Sequence, residues 1–422
     1  MGVLLGAIAD DFTGATDLAN TLVKAGMSTI QTFGIPGEDF DPGNVAAIIV
    51  ALKSRSTPVE EAVRESLEAL EWLKSLGTKQ FFFKYCSTFD STAEGNIGPV
   101  TDALLDNLGQ PFTIACPAFP TNGRTIYKGH LFVGDLLLSD STMKDHPLTP
   151  MTDANLVRFL GNQTEHEVGL VPFEDVEAGP LAIEMKYNQL ISSGKKYAIV
   201  DAVNDDNLLS IGVALRDLKL ITGGSGVALG LPDNFRKSGD LQVDDGCYEW
   251  QSRGRAAVLS GSCSAMTRAQ VAAVKEKWPS FSLDAIALSE DKEKCLEQVL
   301  IWVDKQGGDE PFLVYSSADP ADVADVQKKL GRDRAGLLVE EAMSVIAAEI
   351  IKRGVERLIV AGGETSGAVV KSLGISGLRI GKEIEPGVPW CKTMGTADLS
   401  LALKSGNFGK EDFFTKALDV LG

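Results

Sequence analysis

Two adjacent carboxylates, Asp10 and Asp11, directly follow an apolar run near the start of the chain. The run Leu4–Ala9 predicts a buried strand, and the residues after Thr13 and Gly14 predict a helix. Ligands bind at the carboxyl ends of strands in open α/β sheets, and burying two like charges without partners is costly. Such a pair can accept protons from a polyol, orient its hydroxyls or help to hold a metal ion. The alternative is that Asp11 or Thr13 only caps the helix.

Further charged and polar residues follow other predicted strands and loops in the first half of the chain. Residues 46–52 and 81–85 predict buried strands, and residues 58–77 predict an amphipathic helix between them. Arg and Lys bind carboxylates, and Asp binds hydroxyls, so a cluster of these types could hold a small hydroxy acid. Each residue alone is more often a solvated surface charge. The candidate substrate-binding residues are Arg55, Lys84, Asp90, Ser91, Arg124, Lys128 and His130.

Three glycine-containing turns mark the second half, at 260–264, 362–367 and 404–409, the last of which we predict to be flexible. A strand that ends in glycines and opens a helix presents backbone N–H groups and the positive end of the helix dipole to an anion. Ala368 and Val369 stand where a Walker P-loop requires Lys and Ser or Thr, so that motif is excluded. Together the three turns suit a nucleotide held by backbone groups.

Two other nucleotide and hydrolase signatures are absent from the sequence. No predicted strand is followed by the Gly-x-Gly-x-x-Gly fingerprint of a dinucleotide site, and no Gly-x-Ser-x-Gly nucleophile elbow occurs. A further glycine-rich turn, at 219–226 in the first half, is either an anion-binding loop or a tight turn that needs positive φ.

Composition and charge limit the class of protein. The formal net charge of −18 argues against nucleic acid and membrane surfaces as partners, because both are anionic. Six scattered cysteines without a Cys-x-x-Cys pair and only three histidines argue against a disulfide framework or a zinc centre. The sequence shows no signal peptide and no apolar run long enough to span a bilayer. We therefore expect a soluble cytoplasmic protein.

The order of the predicted elements indicates the fold. Strand-like and helix-like segments alternate, which predicts an α/β protein with two domains, each a mostly parallel sheet flanked by helices. At 422 residues the chain is too long for one ordinary core. The alternation pauses in a stretch rich in Gly, Asp and basic residues. We predict a sugar-acid-binding domain over 1–238, a linker over 239–255 and a nucleotide-binding domain over 256–422.

At these residues the chain resembles the four-carbon acid sugar kinases. The matching segments are spread in order over nearly the whole chain, and they read ADDFTGA from 9, KYCSTFDST from 84, CPAFP from 116, LSGSCS from 259, GGETSG from 362 and KSGNFG from 404. The segments 85–92 and 123–133 resemble the members that act on 3-oxo-tetronates. Threonate and erythronate kinases more often carry a Lys-x-Asp-Ser-Thr type of segment where this chain has residues 88–92.

The resemblance implies ATP-dependent phosphorylation of the terminal C4 hydroxyl of a four-carbon sugar acid, of the 3-oxo-tetronate type. Asp10 or Asp11 would orient the attacking hydroxyl or take its proton, and Lys84, Arg55 or Arg124 would hold the acid group. ATP and Mg²⁺ are the implied cofactors, and the protein ligands of Mg²⁺ cannot be named from the sequence. The implied ATP contacts are Ser260, Gly362, Gly363, Glu364, Thr365 and Gly406.

Two alternatives remain open at the level of sequence. The substrate could be D-threonate or D-erythronate, because one hydroxyl-to-carbonyl change depends on pocket geometry. The chain could also be a non-catalytic sensor that binds a sugar acid and a nucleotide without turnover. The oligomeric state is not determined by the sequence, and a homodimer is our working hypothesis.

Overall fold

The chain forms two compact units, Met1–Cys247 and Tyr248–Gly422, in a computed structural model. The structure describes residues 2–37, 40–145, 149–242, 246–308, 310–316, 328–329, 331–395 and 398–421. Residues 239–242 and 246–254, within the predicted linker, contain no helix or strand. The domain boundaries at 238 and 256 stay a prediction.

The first unit is built on a parallel sheet. Its described strands in spatial order are β2–β3–β1–β4–β11–β5–β10–β9, and each neighbouring pair is parallel. Several of these strands are buried along their whole length, as expected for a parallel sheet that is covered on both faces. The strands are β1 (Leu5–Ala9), β2 (Thr29–Phe33), β3 (Ala47–Ala51), β4 (Gln80–Lys84), β5 (Thr113–Cys116), β9 (Val168–Val171), β10 (Tyr197–Val200) and β11 (Leu220–Gly223).

A small antiparallel sheet of β6 (Arg124–Tyr127), β7 (His130–Val133) and β8 (Leu136–Leu137) belongs to the same unit. Backbone bridges join Phe119 to Arg124 and Ile126 to Ala202, so this sheet lies where β5 and β10 end. The sequence places Arg124, Lys128 and His130 at strand ends and in loops, and the structure gathers all three in this hairpin.

Helices connect the parallel strands of the first unit. Asp11 caps the first helix, and the predicted helix 58–77 is observed as Val59–Ser75. The helices are α1 (Phe12–Lys24), α2 (Val59–Ser75), α3 (Ile97–Leu108), α4 (Leu156–Gly161), α5 (Phe173–Glu177), α6 (Pro180–Ser192), α7 (Asp205–Ala214) and α8 (Leu231–Lys237). The glycine turn after β11 leads into a 3₁₀ segment, Ser225–Gly230.

The second unit has a mixed sheet with the spatial order β13–β14–β12–β15–β18–β17–β16. Neighbours from β13 to β18 are parallel, whereas β17 pairs antiparallel with both β18 and β16. The strands are β12 (Arg255–Ser260), β13 (Ser280–Ser282), β14 (Phe312–Tyr315), β15 (Val355–Ala361), β16 (Gly377–Glu385), β17 (Val388–Met394) and β18 (Ser400–Lys404).

Aromatic residues fill the core of the second unit. Trp390 is fully buried beside Phe413 and Phe414, and its indole N–H donates to the carbonyl of Ala417 at 2.7 Å. The described helices are α9 (Ala265–Val274), α10 (Ala285–Glu290), α11 (Lys292–Lys305), α12 (Arg332–Lys352), α13 (Gly363–Ser372) and α14 (Phe413–Leu421). The predicted fold class, α/β with two mostly parallel sheets flanked by helices, is confirmed.

In the part of the chain that the structure describes, no helix combines the length and the apolar character that a membrane span requires.

Candidate functional site

The backbone brings the ends of three strands together in the first unit. Ala9 of β1 pairs in register with Ala51 of β3 and with Lys84 of β4. Past the strand ends, the Asp10 N–H donates to the Lys84 carbonyl at 3.0 Å, and the Asp10 carbonyl accepts from the N–H of Arg55 at 3.3 Å. Parallel pairing therefore places Asp10, Arg55 and Lys84, together with the adjacent Asp11, at one edge of the sheet.

Arg55 joins the two adjacent carboxylates. Its guanidinium forms a bidentate pair with Asp10, with Nε–Oδ2 and Nη2–Oδ1 distances of 2.8 Å, and Nη2 also reaches Oδ1 of Asp11 at 2.8 Å. Nη1 lies 3.7 Å from Oδ2 of Asp90. One cation thus serves three carboxylates, which resolves the cost of burying Asp10 and Asp11 side by side.

Asp11 has a second role at the start of α1. Its Oδ1 accepts the N–H of Gly14 at 3.1 Å, and its Oδ2 accepts the hydroxyl of Thr13 at 2.8 Å. The helix-cap interpretation is therefore correct for Asp11, and it coexists with the ion pair to Arg55. A Cβ built on Gly14 would lie 2.2 Å from Asp11 Oδ1 and 3.1 Å from Lys84 Nζ, so the lysine approaches the same helix start.

The pKa values of the two neighbouring carboxyl groups are shifted in opposite directions. Burial raises the pKa of Asp10, and this effect outweighs the attraction of Arg55. Burial also opposes ionisation of Asp11, but Arg55, Lys84 and the hydrogen bonds from Thr13 and Gly14 together lower its pKa. Asp11 is therefore the member of the pair that holds its negative charge most firmly.

Asp90 reaches the site through an unusual turn. Phe89 has a φ of +54° and is fully buried, with its ring 5.3 Å from that of Tyr85 and 5.9 Å from that of Phe159. Left-handed backbone is rare for an aromatic residue and persists only where packing enforces it. The Thr88 hydroxyl donates to Oδ1 of Asp90 at 2.6 Å, which leaves Oδ2 toward Arg55.

Ser91, the next residue, is held by Gln163 rather than by the carboxylate cluster. Its Oγ accepts from Nε2 of Gln163 at 2.8 Å, while Oε1 of Gln163 accepts the N–H of Gly98 at 2.9 Å. Ser91 is buried. Its assignment as a substrate ligand stays a prediction.

Asn96 holds the loop that carries Arg55, although it belongs to none of the motifs that the sequence shows. Its Nδ2 donates to the carbonyls of Ser54 at 2.7 Å and Thr57 at 2.9 Å, on either side of the arginine. The side chain is buried. Its only sequence signal is its position directly before α3, where Asn is a common cap, yet it forms no side-chain cap there.

Arg124 lies at the start of the hairpin. One guanidinium nitrogen donates to the carbonyl of Asn122, and its Nε is buried without an acceptor among the described residues. A buried donor without a partner is costly, so this N–H is available to a bound anion.

Lys128 and His130 lie in the turn at the other end of the hairpin. Lys128 forms an exposed ion pair with Glu174, and Nδ1 of His130 lies 2.9 Å from the carbonyl of Lys128. Buried Asp201 fixes this turn by accepting the N–H groups of Lys128, Gly129 and Phe173 at 2.7–2.9 Å. These contacts do not include the carboxylates around Arg55, and the role of both residues in substrate binding stays a prediction.

The glycine turn after β11 is explained by close packing. Cβ atoms built on Gly223, Gly224 and Gly226 would lie 2.4–2.7 Å from carbonyl oxygens of the segment 116–118. None of the three has positive φ. Of the two alternatives for this turn, the one that needs positive φ is wrong, because the glycines serve the approach to the end of β5; an anion-binding role of the turn stays a prediction.

In the second unit, the three predicted nucleotide turns meet. The strands β12, β15 and β18 are neighbours and end in register at Ser260, Ala361 and Lys404. The N–H groups of Gly261 and Ser262 donate to the Ala361 carbonyl at 3.0 and 3.2 Å. The sheet therefore brings together turns that begin at residues 260, 362 and 404 of the sequence.

Glycines allow the three turns to touch. A Cβ on Gly261 would lie 2.2 Å from Oγ1 of Thr365, and one on Gly406 would lie 2.7 Å from Oγ of Ser262. Gly362 has a φ of +132°, which other residues rarely adopt. Close contacts between the turns therefore favour glycine at 261 and 406, and the backbone conformation favours it at 362.

Two helices start in this cluster. Ser264 caps α9 by accepting the N–H of Thr267 at 3.2 Å. Gly363 and Glu364 form the exposed first turn of α13, while Thr365 is buried behind them. The first N–H groups of a helix have no acceptor within the helix, so this end can bind phosphate oxygens.

The loop 405–409 is held firmly, which corrects the expectation of a flexible loop. Nε2 of Gln270 donates to the carbonyls of Phe408 and Lys410 at 3.0 and 2.9 Å, and Ser264 Oγ donates to the Gly406 carbonyl at 2.6 Å. Buried Lys404 makes further bonds to the loop. The loop is restrained because tertiary contacts supply partners that its own sequence does not show.

Two domain families match the chain. The family described as a sugar-binding N-terminal domain matches residues 5–231, and the family described as a nucleotide-binding C-terminal domain matches residues 257–414. Together they cover most of the chain, and each falls within one compact unit.

Curated relatives resemble the chain over almost its entire length. A 3-oxo-tetronate kinase from Burkholderia multivorans is 54% identical over 99% of this chain and 97% of its own length. A protein of the same name from Haemophilus influenzae is 49% identical over 98% of this chain and 99% of its own. A crystal structure of a Salmonella typhimurium LT2 protein is 45% identical, covers 98% of both chains and gives a TM-score of 0.89.

Proposed function

Because the chain belongs to the family of sugar-acid kinases that combines a sugar-binding N-terminal domain with a nucleotide-binding C-terminal domain, it is an ATP-dependent kinase, and we propose that it phosphorylates the C4 hydroxyl of a 3-oxo-tetronate. The assignment of the substrate site rests on one observation above all. Arg55 holds Asp10, Asp11 and Asp90 together at the carboxyl edge of the sheet in the sugar-binding unit. Relatives named 3-oxo-tetronate kinase support the choice of acid.

Asp11 is the proposed contact of the attacking hydroxyl. Phosphoryl transfer asks a protein mainly to position groups and to stabilise charge. Since the pKa of Asp11 is lowered, its carboxylate stays ionised and accepts a hydrogen bond from the C4 hydroxyl. It would orient that oxygen and take its proton as the new P–O bond forms and the bond between the γ-phosphorus and the ADP oxygen breaks.

Cationic donors would hold the carboxylate of the substrate. Lys84 uses one of its three N–H donors on the carbonyl of Tyr85, at 2.8 Å. The buried Nε of Arg124 has no acceptor among the described residues. Both groups therefore suit an anionic ligand, as the sugar acid is, and Arg55 would keep the carboxylates in place beside it.

The three glycine turns would bind ATP. The proposed contacts are the backbone and side chains of Ser260, Gly362, Gly363, Glu364, Thr365 and Gly406. The exposed start of α13 supplies N–H groups for phosphate oxygens.

Mg²⁺ would accompany ATP. The described residues contain no group of three or more His, Cys, Asp or Glu that could hold a metal ion. Mg²⁺ that accompanies a nucleotide is bound mainly by phosphate oxygens and water, with one or two protein carboxylates. Glu364, exposed in the first turn of α13, would supply such a carboxylate. The ion would neutralise charge on the transferred phosphoryl group.

ADP release with ATP and Mg²⁺ tests the proposal on a panel of 3-oxo-tetronates, D-threonate and D-erythronate. We expect turnover of a 3-oxo-tetronate and a loss of more than about tenfold in kcat for Asp11→Asn. Asn retains the helix cap, so this variant isolates the charge, and exposed Asp106→Asn is its matched control. A smaller loss would remove Asp11 from the catalytic role.

Other outcomes of the panel identify the alternatives. Preference for D-threonate or D-erythronate would overturn the proposed substrate but keep the kinase. We also expect a cytoplasmic homodimer, and light scattering coupled to size-exclusion chromatography measures the oligomeric state.

A further inference from the structure

Lys404, the last residue of β18, is fully buried beneath the third glycine turn. Its Nζ lies 3.0 Å from Oγ1 of Thr267 and from the carbonyl oxygens of Ser405 and Gly406, and 3.2 Å from that of Phe408. An ammonium has three N–H donors, so these four oxygens share them. The Nζ of Lys404 is therefore surrounded by four neutral oxygen atoms.

The charge of Lys404 is expensive at this position. None of the described ion pairs includes it, and burial lowers its pKa to about 7. An apolar side chain of similar volume would fill the space with a smaller desolvation penalty. Packing of the core therefore does not explain why a lysine stands at this position. Its hydrogen bonds to the turn indicate a different role.

Those hydrogen bonds set the direction of the peptide groups. In a planar trans peptide the C=O and the following N–H point in opposite directions. Because the carbonyls of Ser405, Gly406 and Phe408 point at the ammonium, the N–H groups of Gly406, Asn407 and Gly409 point away from it. Three backbone donors of one short turn are thereby directed away from Lys404 and left for an acceptor outside the turn.

The same contacts tie this turn to the first one. The Gly406 carbonyl that accepts from Lys404 also accepts from Oγ of Ser264 at 2.6 Å and from Oγ1 of Thr267 at 2.8 Å. Both of these residues belong to the start of α9. Lys404 therefore bonds both to its own turn and to the first turn of α9, which follows the glycine turn at 260–264.

We propose that Lys404 is a positioning residue for the nucleotide: its Nζ donates to the carbonyls of Ser405, Gly406 and Phe408 and so presents the N–H groups of Gly406, Asn407 and Gly409 to the phosphates of ATP. The inference rests on the proposed function, since it needs the three turns to be the ATP site. Lys404 itself does not touch the nucleotide. It acts through the backbone of the turn.

The test compares Lys404→Met with the unaltered protein and with Lys371→Met, which removes an exposed lysine of the same unit. Titration calorimetry with ADP gives Kd directly, and initial rates give separate KM values for ATP and for the sugar acid. We expect Lys404→Met to raise the ADP Kd and the ATP KM at least about tenfold, with the sugar-acid KM changed less than about threefold. Lys371→Met should match the unaltered protein.

A general loss of structure would move both KM values together, so equal changes overturn the proposal, as does an unchanged ADP Kd. If Lys404→Met does not fold, Thr267→Val decides, because it removes the hydroxyl that bonds to both Lys404 and Gly406. Its ADP Kd should rise about threefold or more, and no rise overturns the proposal. Failure of the unaltered protein to bind ADP would instead refute the proposed ATP site.

Discussion

The two candidate sites consist of different kinds of chemical groups. In the first unit, charged side chains dominate, with Arg55 in contact with Asp10 and Asp11 and close to Asp90. In the second unit, glycines and hydroxyls dominate, and the charge held beneath the turns is that of Lys404. A small sugar acid offers hydroxyls and one carboxylate, which suit directional side chains. Phosphate chains suit rows of backbone N–H groups, which need close packing more than charge.

A buried charge at a strand end restrains a loop in both units, with opposite sign. Asp201, just after β10, accepts three backbone N–H groups and so fixes the turn at 128–129. Lys404, at the end of β18, donates to three backbone carbonyls. An acid turns N–H groups inward, whereas a lysine turns them outward. Only the second arrangement prepares a loop for an anion.

Arg55→Met should have the largest effect of these substitutions. The effect should be confined to the carboxylate site of the first unit. The substitution leaves buried Asp10 beside Asp11 without their shared cation. We expect a loss of about 3 kcal/mol in the free energy of unfolding at neutral pH, at the lower end for buried pairs because Arg55 is a quarter exposed. Urea unfolding measures it, with exposed Arg64→Met as the control.

The pH dependence of this loss gives a second check. In Arg55→Met the carboxyl groups of Asp10 and Asp11 lose their uncompensated charge as they bind protons, so the destabilisation should shrink as the pH falls, first through Asp10, whose pKa is raised by burial. A loss that stays constant down to about pH 3 would show that Arg55 stabilises by packing rather than by charge.

Gly261→Ala tests whether the second site depends on close packing. The new Cβ would lie 2.2 Å from Oγ1 of Thr365, and overpacking of this kind costs about 2 kcal/mol. We expect the ADP Kd to rise by about tenfold or more while the sugar-acid KM stays unchanged. Gly307→Ala is the control, since a Cβ there meets nothing within 4 Å. An unchanged Kd would contradict the distinction between the two sites.

Lys404 should make the free energy of unfolding of the second unit depend on pH above neutrality. Its pKa is about 7 in the folded protein and 10.5 in the reference state, so between these values the unfolded chain binds the extra proton. Stability should therefore rise with pH, by about 1 kcal/mol per unit between about pH 7.5 and 9. Urea unfolding measures the slope. The slope should be smaller in Lys404→Met. Equal slopes in the two proteins would refute the lowered pKa of Lys404.

Asn96→Ala should have the smallest effect. It removes the amide that holds the carbonyls of Ser54 and Thr57 around Arg55, at a cost of about 1 kcal/mol. We expect a severalfold rise in the sugar-acid KM and no change in the ADP Kd. Asn107→Ala, at an exposed position on the same helix, is the control. A change in ADP binding instead would break the separation of the two sites.

Local patterns made much of the fold predictable. Buried apolar runs followed by helical periodicity predict parallel βα units, and the strands at β1, β3 and β4 lie where the sequence indicates. The antiparallel pair β16 and β17 and the hairpin sheet were not predicted. Their residues lack a clean alternation of apolar and polar side chains, because both faces of β17 are largely buried.

The candidate sites, like the fold, could be predicted from the sequence only in part. Sequence position alone places Asp10, Asp11 and Lys84 at strand ends, since residues after parallel strands share one edge. It also identifies the three glycine turns. It does not show that Arg55 joins three carboxylates, that Asn96 holds the Arg55 loop or that Gln163 binds Ser91, because these contacts join residues from 35 to 72 positions apart.

The sequence by itself thus determined the fold class, the strand ends that carry the candidate site residues and the kind of ligand expected for each unit. Only the tertiary structure decided which charges meet and which are restrained. Lys404 shows the reason most clearly. In the sequence it begins a glycine loop and has the form of a surface lysine, but the packing of β18 against its neighbours buries it completely. Burial and partner distance, which set the energy of a charge, belong to the fold rather than to the residue.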